Sequence, residues 1–245
     1  TYLGSMYAEL FPERTGRLVL DSAVDITNSE EVSQVEGFEL ALNLYADWCA
    51  STSACTFGDS RDAVISTINS FLRGLDASPQ QVGDRQLTQG KAATGVAGFL
   101  YSGAGIYPRL TATVAAAMRG DGSALLKASD ALTGRDDNGW KTMAYAFPAT
   151  RCLDHADEGV AAHFALQDEL GQKAPVFGGS MGGDLACERW TAASVPNLKL
   201  TGKGAAPILV VGATGDSATP YQQAVTMAQQ LESGHLLTYD GPGHG

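Results

Sequence analysis

No apolar run in these 245 residues approaches the roughly 18 that a membrane-spanning helix needs, so no helical span lies within them. No Cys-x-x-Cys occurs, and His155 is the only histidine close in sequence to a cysteine, which argues against a zinc site. Neither a metal nor a cofactor is expected. Positive charge is scarce: 16 Lys and Arg face 27 Asp and Glu, giving a formal net charge of -11. That balance argues against nucleic acid or an anionic membrane surface as the main partner. Nothing repeats, and no stretch has the composition of a linker between independent domains. What remains is a chain with 44% apolar residues, long enough to bury a large core as one large domain or two small ones.

The most informative stretch lies near the carboxyl end. Residues 206–216, Ala-Pro-Ile-Leu-Val-Val-Gly-Ala-Thr-Gly-Asp, form an apolar run that stops at a carboxylate. The run reads as a buried parallel strand with a loop after it. A helix candidate follows, Pro220 to Leu231, and then a second strand candidate, His235 to Tyr239, which runs into Asp240-Gly241-Pro242-Gly243-His244. Asp216 and His244 thus each stand just beyond a strand, with one helix between them. In an α/β sheet both fall at the carboxyl edge, where active sites gather. Their order is that of the second half of a Ser…Asp…His hydrolase. By pattern alone Asp21, Asp25 and Asp240, also at strand ends, fit the acid as well. Two ordinary loop residues remain the plain alternative.

The front of the chain reads as a helix, stopped by Pro12, followed by a short buried strand at residues 17–21 and then Ser22-Ala23-Val24-Asp25. A βαβ unit needs a strand before that helix, so one is expected upstream. Here the chain resembles the secreted α/β-hydrolases of the tripeptidyl aminopeptidase type, found in actinobacteria and related to prolyl aminopeptidases. In that family a nucleophile elbow, Gly-x-Ser-Tyr-Gly-Thr, continues into Tyr-Leu-Gly-x-x-Tyr-Ala-x-x-Phe-Pro and then Val-Leu-Asp-Gly-Ala-Val-Asp. This sequence is similar from Thr1 through Asp25, with Ser22 where glycine is usual. The family's Asp-x-x-Thr-Pro falls on Asp216, Thr219 and Pro220, and its histidine on His244. The resemblance implies an α/β-hydrolase fold: the later half of the parallel core sheet, with a large, mostly helical lid inserted. Residues 1–26 and 204–245 are then core and 27–203 the lid. The nucleophilic serine is expected upstream of Thr1, with Asp216 as acid and His244 as base. Thr219 is expected to cap the next helix and to hold the Asp216 loop.

The insertion reads as helices over 30–48, 60–75, 91–100, 107–118, 123–132 and 154–170, with Asn28 or Ser29 as first cap. Residues 76–89 read as loop and 135–139 as a polar turn, while 145–151 is too short to assign. The Gly-rich helix 91–100 fits either a pocket mouth or a close packing contact. All four cysteines lie in the insertion and allow three pairings. The family has cysteines at corresponding places, which implies Cys49–Cys55 and Cys152–Cys187. Two disulfides indicate an oxidising location, secreted or in the cell envelope. Residues 178–182, Gly-Gly-Ser-Met-Gly, match the elbow pattern Gly-x-Ser-x-Gly, but only Val176 and Phe177 precede them as strand formers. Ser180 is therefore read as a decoy. His155 and His163 read as surface or pocket-wall residues and His235 as structural.

The activity implied is cleavage of short peptides from a free amino terminus through an acyl-enzyme. A bound ammonium calls for a fixed carboxylate, for which Asp184 and Glu188 are candidates. The alternatives are an esterase or lipase of small acyl esters, and a non-catalytic binding protein on a hydrolase scaffold. The 245 residues alone are expected to be inactive and to require the upstream half to complete the sheet.

Overall fold

The computed structural model describes residues 1–27, 33–154, 159–181, 185–192 and 198–245. In chain order the elements are α1 (Tyr2–Leu10), β1 (Leu18–Asp21), α2 (Gln34–Ala50), α3 (Arg61–Ala77), β2 (Gln80–Val82), β3 (Arg85–Leu87), α4 (Gln89–Leu100), α5 (Tyr107–Met118), α6 (Ser123–Thr133), β4 (Arg135–Asp136), β5 (Gly139–Trp140), α7 (Thr142–Asp154), α8 (Val160–Lys173), α9 (Gly178–Met181), β6 (Ile208–Gly215), α10 (Tyr221–Gln230) and β7 (Gly234–Pro242). They fall into two compact units. One comprises Thr1–Ala41 and Asn197–Gly245, the other Leu42–Pro196.

The first unit is built on a three-stranded sheet ordered β1-β6-β7, with both pairings parallel. This is the expected set of neighbours. Parallel strands cannot be joined by a tight turn, and α10 makes the crossover between β6 and β7. Leu20, Ile208 and Val210 bury one face of the sheet against Ala8 of α1 and Ala224 and Met227 of α10. Gly212 permits the close approach of α10, since a Cβ there would lie 2.5 Å from the Ala224 methyl. The opposite face carries Val19 and Leu237, which are 57% and 52% exposed. Leu3, Tyr7, Leu10 and Phe11 form a second exposed apolar stripe along α1 and just past its end. β6 ends at Gly215, and β7 runs further than the sequence indicates, to Pro242. Glycine and proline mark turn chemistry in sequence, but here ladder pairing carries on through them.

The second unit is mainly helical. Ser60 caps α3 by accepting from the Ala63 N–H, and Thr88 caps α4 by accepting from Lys91. The glycine-rich α4 proves to be a packing contact: a Cβ on Gly95 would collide with the Leu125 carbonyl of α6. Residues 76–89 are not all loop, because β2 and β3 pair antiparallel within them. A two-residue ladder likewise joins β4 and β5 around the polar turn. The unassigned stretch 145–151 lies inside α7, which runs through Pro148. The last long helix begins at Val160, and Asp154 ends the helix before it. The caps Asn28 and Ser29 lie outside the described residues. Cys49 bonds Cys55, and Cys152 bonds Cys187. Buried Tyr45 shares a 2.7 Å hydrogen bond with the Thr111 hydroxyl and meets the Tyr107 ring edge-on. Burial pushes the Tyr45 phenol up to about 12, although the Thr111 hydrogen bond acts the other way.

Candidate active site

The strand β6 delivers Asp216 directly beyond its last residue, and the end of β7 delivers His244. The Asp216 side chain is fully buried, while that of His244 is 31% exposed. His244 Nδ1 stands 3.0 Å from Asp216 Oδ1 and 3.1 Å from Oδ2. A carboxylate only accepts, so the proton of this contact is on Nδ1, which leaves the lone pair on Nε2. The carboxylate is held from other directions as well. The backbone N–H groups of Ala218 and Thr219 both donate to Oδ1 at 2.8 Å. The Thr219 hydroxyl donates to Oδ2 at 3.0 Å. Thr219 therefore holds the loop, as its place in the sequence indicates, but it does not cap α10, whose N-cap is Pro220 without a side-chain hydrogen bond. The start of α2 braces the same loop. Gln34 Nε2 donates to the Ala218 carbonyl at 3.0 Å, and a Cβ on Gly37 would come within 2.7 Å of the Ser217 carbonyl. Neither Gln34 nor Gly37 carried a local signal, because their role arises from packing across long sequence separation.

Two of the other acids have hydrogen-bond partners of their own. Asp25 turns back to accept from the N–H and hydroxyl of Thr27, both at 2.6 Å. Asp240 accepts from the Thr214 hydroxyl at 2.9 Å. Asp21 ends β1 with its side chain exposed. Of these four acids, Asp216 stands at hydrogen-bonding distance from His244.

Ser180 sits in the second unit within the short helix α9, and the residues before it form a turn. An elbow serine needs a strand that thrusts it up at a sheet edge. Here the Ser180 hydroxyl donates back to the Phe177 carbonyl at 3.4 Å and lines a cavity with Asp76, Thr88 and Gln89. His163 packs its ring edge-on against Phe164, and His235 opens β7 beside Leu209. Glu188 is exposed, and Asp184 and His155 lie outside the described residues. Among the described residues no group of three or more His, Cys, Asp or Glu side chains is placed to hold a metal ion.

Residues 174–245, which include both Asp216 and His244, match the family described as TAP-like protein, a family of α/β-hydrolases. The parallel β1-β6-β7 sheet and its crossover helix agree with that match. Residues 174–245 are those of a TAP-like α/β-hydrolase. It is similar along almost its whole length to longer proteins. Carboxylesterase B of Mycobacterium tuberculosis is 35% identical over 250 residues, covering 96% of this chain and 47% of that protein. Serine protease Hip1 of Mycobacterium tuberculosis is 31% identical over 264 residues, covering 100% and 50%. Tripeptidyl aminopeptidase of Streptomyces lividans is 27% identical over 267 residues, covering 100% and 47%. The chain spans about half the length of these curated relatives.

Proposed function

We propose that the protein to which these residues belong is a serine hydrolase that cleaves short peptides from a free amino terminus. The observation that carries the reading is the buried Asp216 carboxylate facing His244 Nδ1 at 3.0 Å. In this reading His244 takes the proton of a serine that lies upstream of residue 1 and later gives it to the leaving amine. Asp216 holds the imidazole tautomer and stabilises the imidazolium as it forms. The oxyanion is met by backbone N–H groups, one from the residue after the serine. The insertion 27–203 serves as a lid that limits which substrates reach that serine. The exposed apolar residues of α1, with Val19 and Leu237 on the sheet, receive the rest of the core. The two disulfides support an extracytoplasmic location, secreted or in the envelope. Among the described residues no helix is long and apolar enough to cross a membrane.

A specific finding favours a second reading. The relative at 35% identity is named a carboxylesterase, so hydrolysis of small acyl esters is a distinct outcome. The ratio of kcat/KM for a tripeptidyl anilide to that for a short acyl ester separates the two. A fluorophosphonate probe should label the full-length protein at the upstream serine and leave Ser180 unlabelled. Labelling that Ser180→Ala abolishes would overturn the assignment of the nucleophile, and no labelling at all would favour a non-catalytic protein. Asp216→Asn should preserve the fold and lower turnover about 10⁴-fold, the size of the trypsin effect that the same triad logic predicts. A loss under roughly tenfold would mean that another group is the acid.

A further inference from the structure

The break in register between β6 and β7 lies immediately before the Asp216–His244 pair. The ladder pairs Ala213 with Tyr239 and then Gly215 with Pro242. Between those rungs β6 has one residue, Thr214, and β7 has two, Asp240 and Gly241. This is a bulge, and its extra residue shifts everything that follows on β7 by one position. A one-residue slip turns each later side chain to the other face of a strand. The register after the bulge therefore decides whether His244 faces Asp216. Beyond it the ladder resumes, with the Gly243 N–H donating to the Gly215 carbonyl at 3.3 Å, and the next residue is His244.

The Thr214 side chain bonds both bulge residues at once. Its hydroxyl donates to Asp240 Oδ1 at 2.9 Å and accepts from the Gly241 N–H at 3.1 Å. The hydroxyl thus stands in for a ladder partner that the bulge removes from Gly241. Gly241 fits the bulge because a Cβ there would lie 2.8 Å from the Tyr239 ring.

We propose that Thr214 and Asp240 are positioning residues: their side-chain bridge pins the bulge and so fixes the register that brings His244 Nδ1 opposite Asp216. The proposal rests on the hydrolase reading for its kinetic consequence but not for its geometric one. Asp240, which by its place at a strand end fits the acid, acts instead through the backbone that carries the base. The bridge lies at the surface, so its loss should disturb alignment more than overall stability.

The test uses the full-length protein and the second-order rate of fluorophosphonate labelling. Thr214→Val, of nearly the same shape, should slow labelling by about ten- to a hundredfold, the scale of a misplacement of about 1 Å. Thr214→Ser should stay within about threefold of wild type. Asp240→Ala should slow labelling, and Asp240→Asn, whose amide oxygen still accepts, should recover most of the rate. In substrate assays kcat should fall while KM and the melting temperature hold. Labelling of Thr214→Val at the wild-type rate would overturn the proposal. A wild type that does not label would instead defeat the hydrolase reading, and the bridge is then judged by nitrogen-15 spectra of the histidine rings. The His244 Nδ1–H signal should be protected from solvent exchange in wild type and Thr214→Ser and exchange-broadened in Thr214→Val. Equal protection in all three would overturn it. Should Thr214→Val fail to fold, the Asp240→Ala and Asp240→Asn pair decides the same question.

Discussion

Asp216 is the most heavily supported side chain of the site, and its side-chain supports are separable by substitution. Thr219→Val removes the hydroxyl that donates to Oδ2 and leaves the two backbone donors and His244 in place. A buried carboxylate that loses one of several donors is held less firmly in its orientation. We expect kcat in the full-length enzyme to fall roughly tenfold with little change in KM, while Thr219→Ser restores most of it. Ser22 tests the opposite relation between strain and stability. Among the described residues it is the one non-glycine with positive φ, at 55°. Holding an L-residue there costs about 1–2 kcal/mol, while glycine costs about 0.5–1 kcal/mol in unfolded-chain entropy. Ser22→Gly should therefore stabilise by up to about 1 kcal/mol, seen as a higher urea midpoint. A lower midpoint would mean that the Ser22 side chain contributes more than its backbone strain costs.

At the scale of elements, Glu9 ties α1 to the segment that leads into β6. Its Oε2 accepts from the Thr201 N–H at 2.6 Å, the Thr201 hydroxyl at 3.0 Å and the Gly202 N–H at 2.8 Å. The Thr201 N–H, most of all, holds the Glu9 carboxyl below its usual range, against the opposing effect of desolvation. A carboxyl whose pKa is depressed by folding adds stability above the unfolded-state value. That contribution fades as the pH falls through the folded-state value. Glu9→Gln should therefore be less stable than wild type at pH 7, and the gap should close on acidification below the ordinary carboxyl range. Urea midpoints at neutral and acid pH check this, and a gap that does not narrow would assign the effect to packing.

For the molecule as a whole, the helical unit depends on its cross-links. The Cys152–Cys187 bond closes a loop with a sequence separation of 35, so replacing both cysteines with serine should cost about 2–4 kcal/mol. Alkylation of the unfolded, unreduced protein should modify none of these four cysteines, read by mass spectrometry, and urea midpoints read the stability change. The first unit leaves large apolar side chains open to solvent. Val19 and Leu237 on the sheet, and Leu3, which is 77% exposed on α1, are residues that a closed hydrolase core would bury.

Some of this was legible without coordinates. The apolar run that ends at Asp216 could only be a strand buried on both faces of a parallel sheet or a core helix, and its length and flanking glycines favoured the strand. Order along the chain then placed Asp216 and His244 at one sheet edge, and family motifs singled them out. Helices such as α3 announced themselves through a regular apolar face. The rest depended on contacts between residues far apart in sequence. Local pattern did not mark the short pairs β2–β3 and β4–β5, because two- and three-residue strands carry too little alternation to register. Nor did it separate Asp216 from Asp240, since both follow strands in polar, glycine-rich surroundings. Tertiary structure separates their contacts: Asp240 accepts from Thr214 and Asp216 meets His244, across a one-residue bulge that follows from pairing with β6 rather than from the sequence of β7.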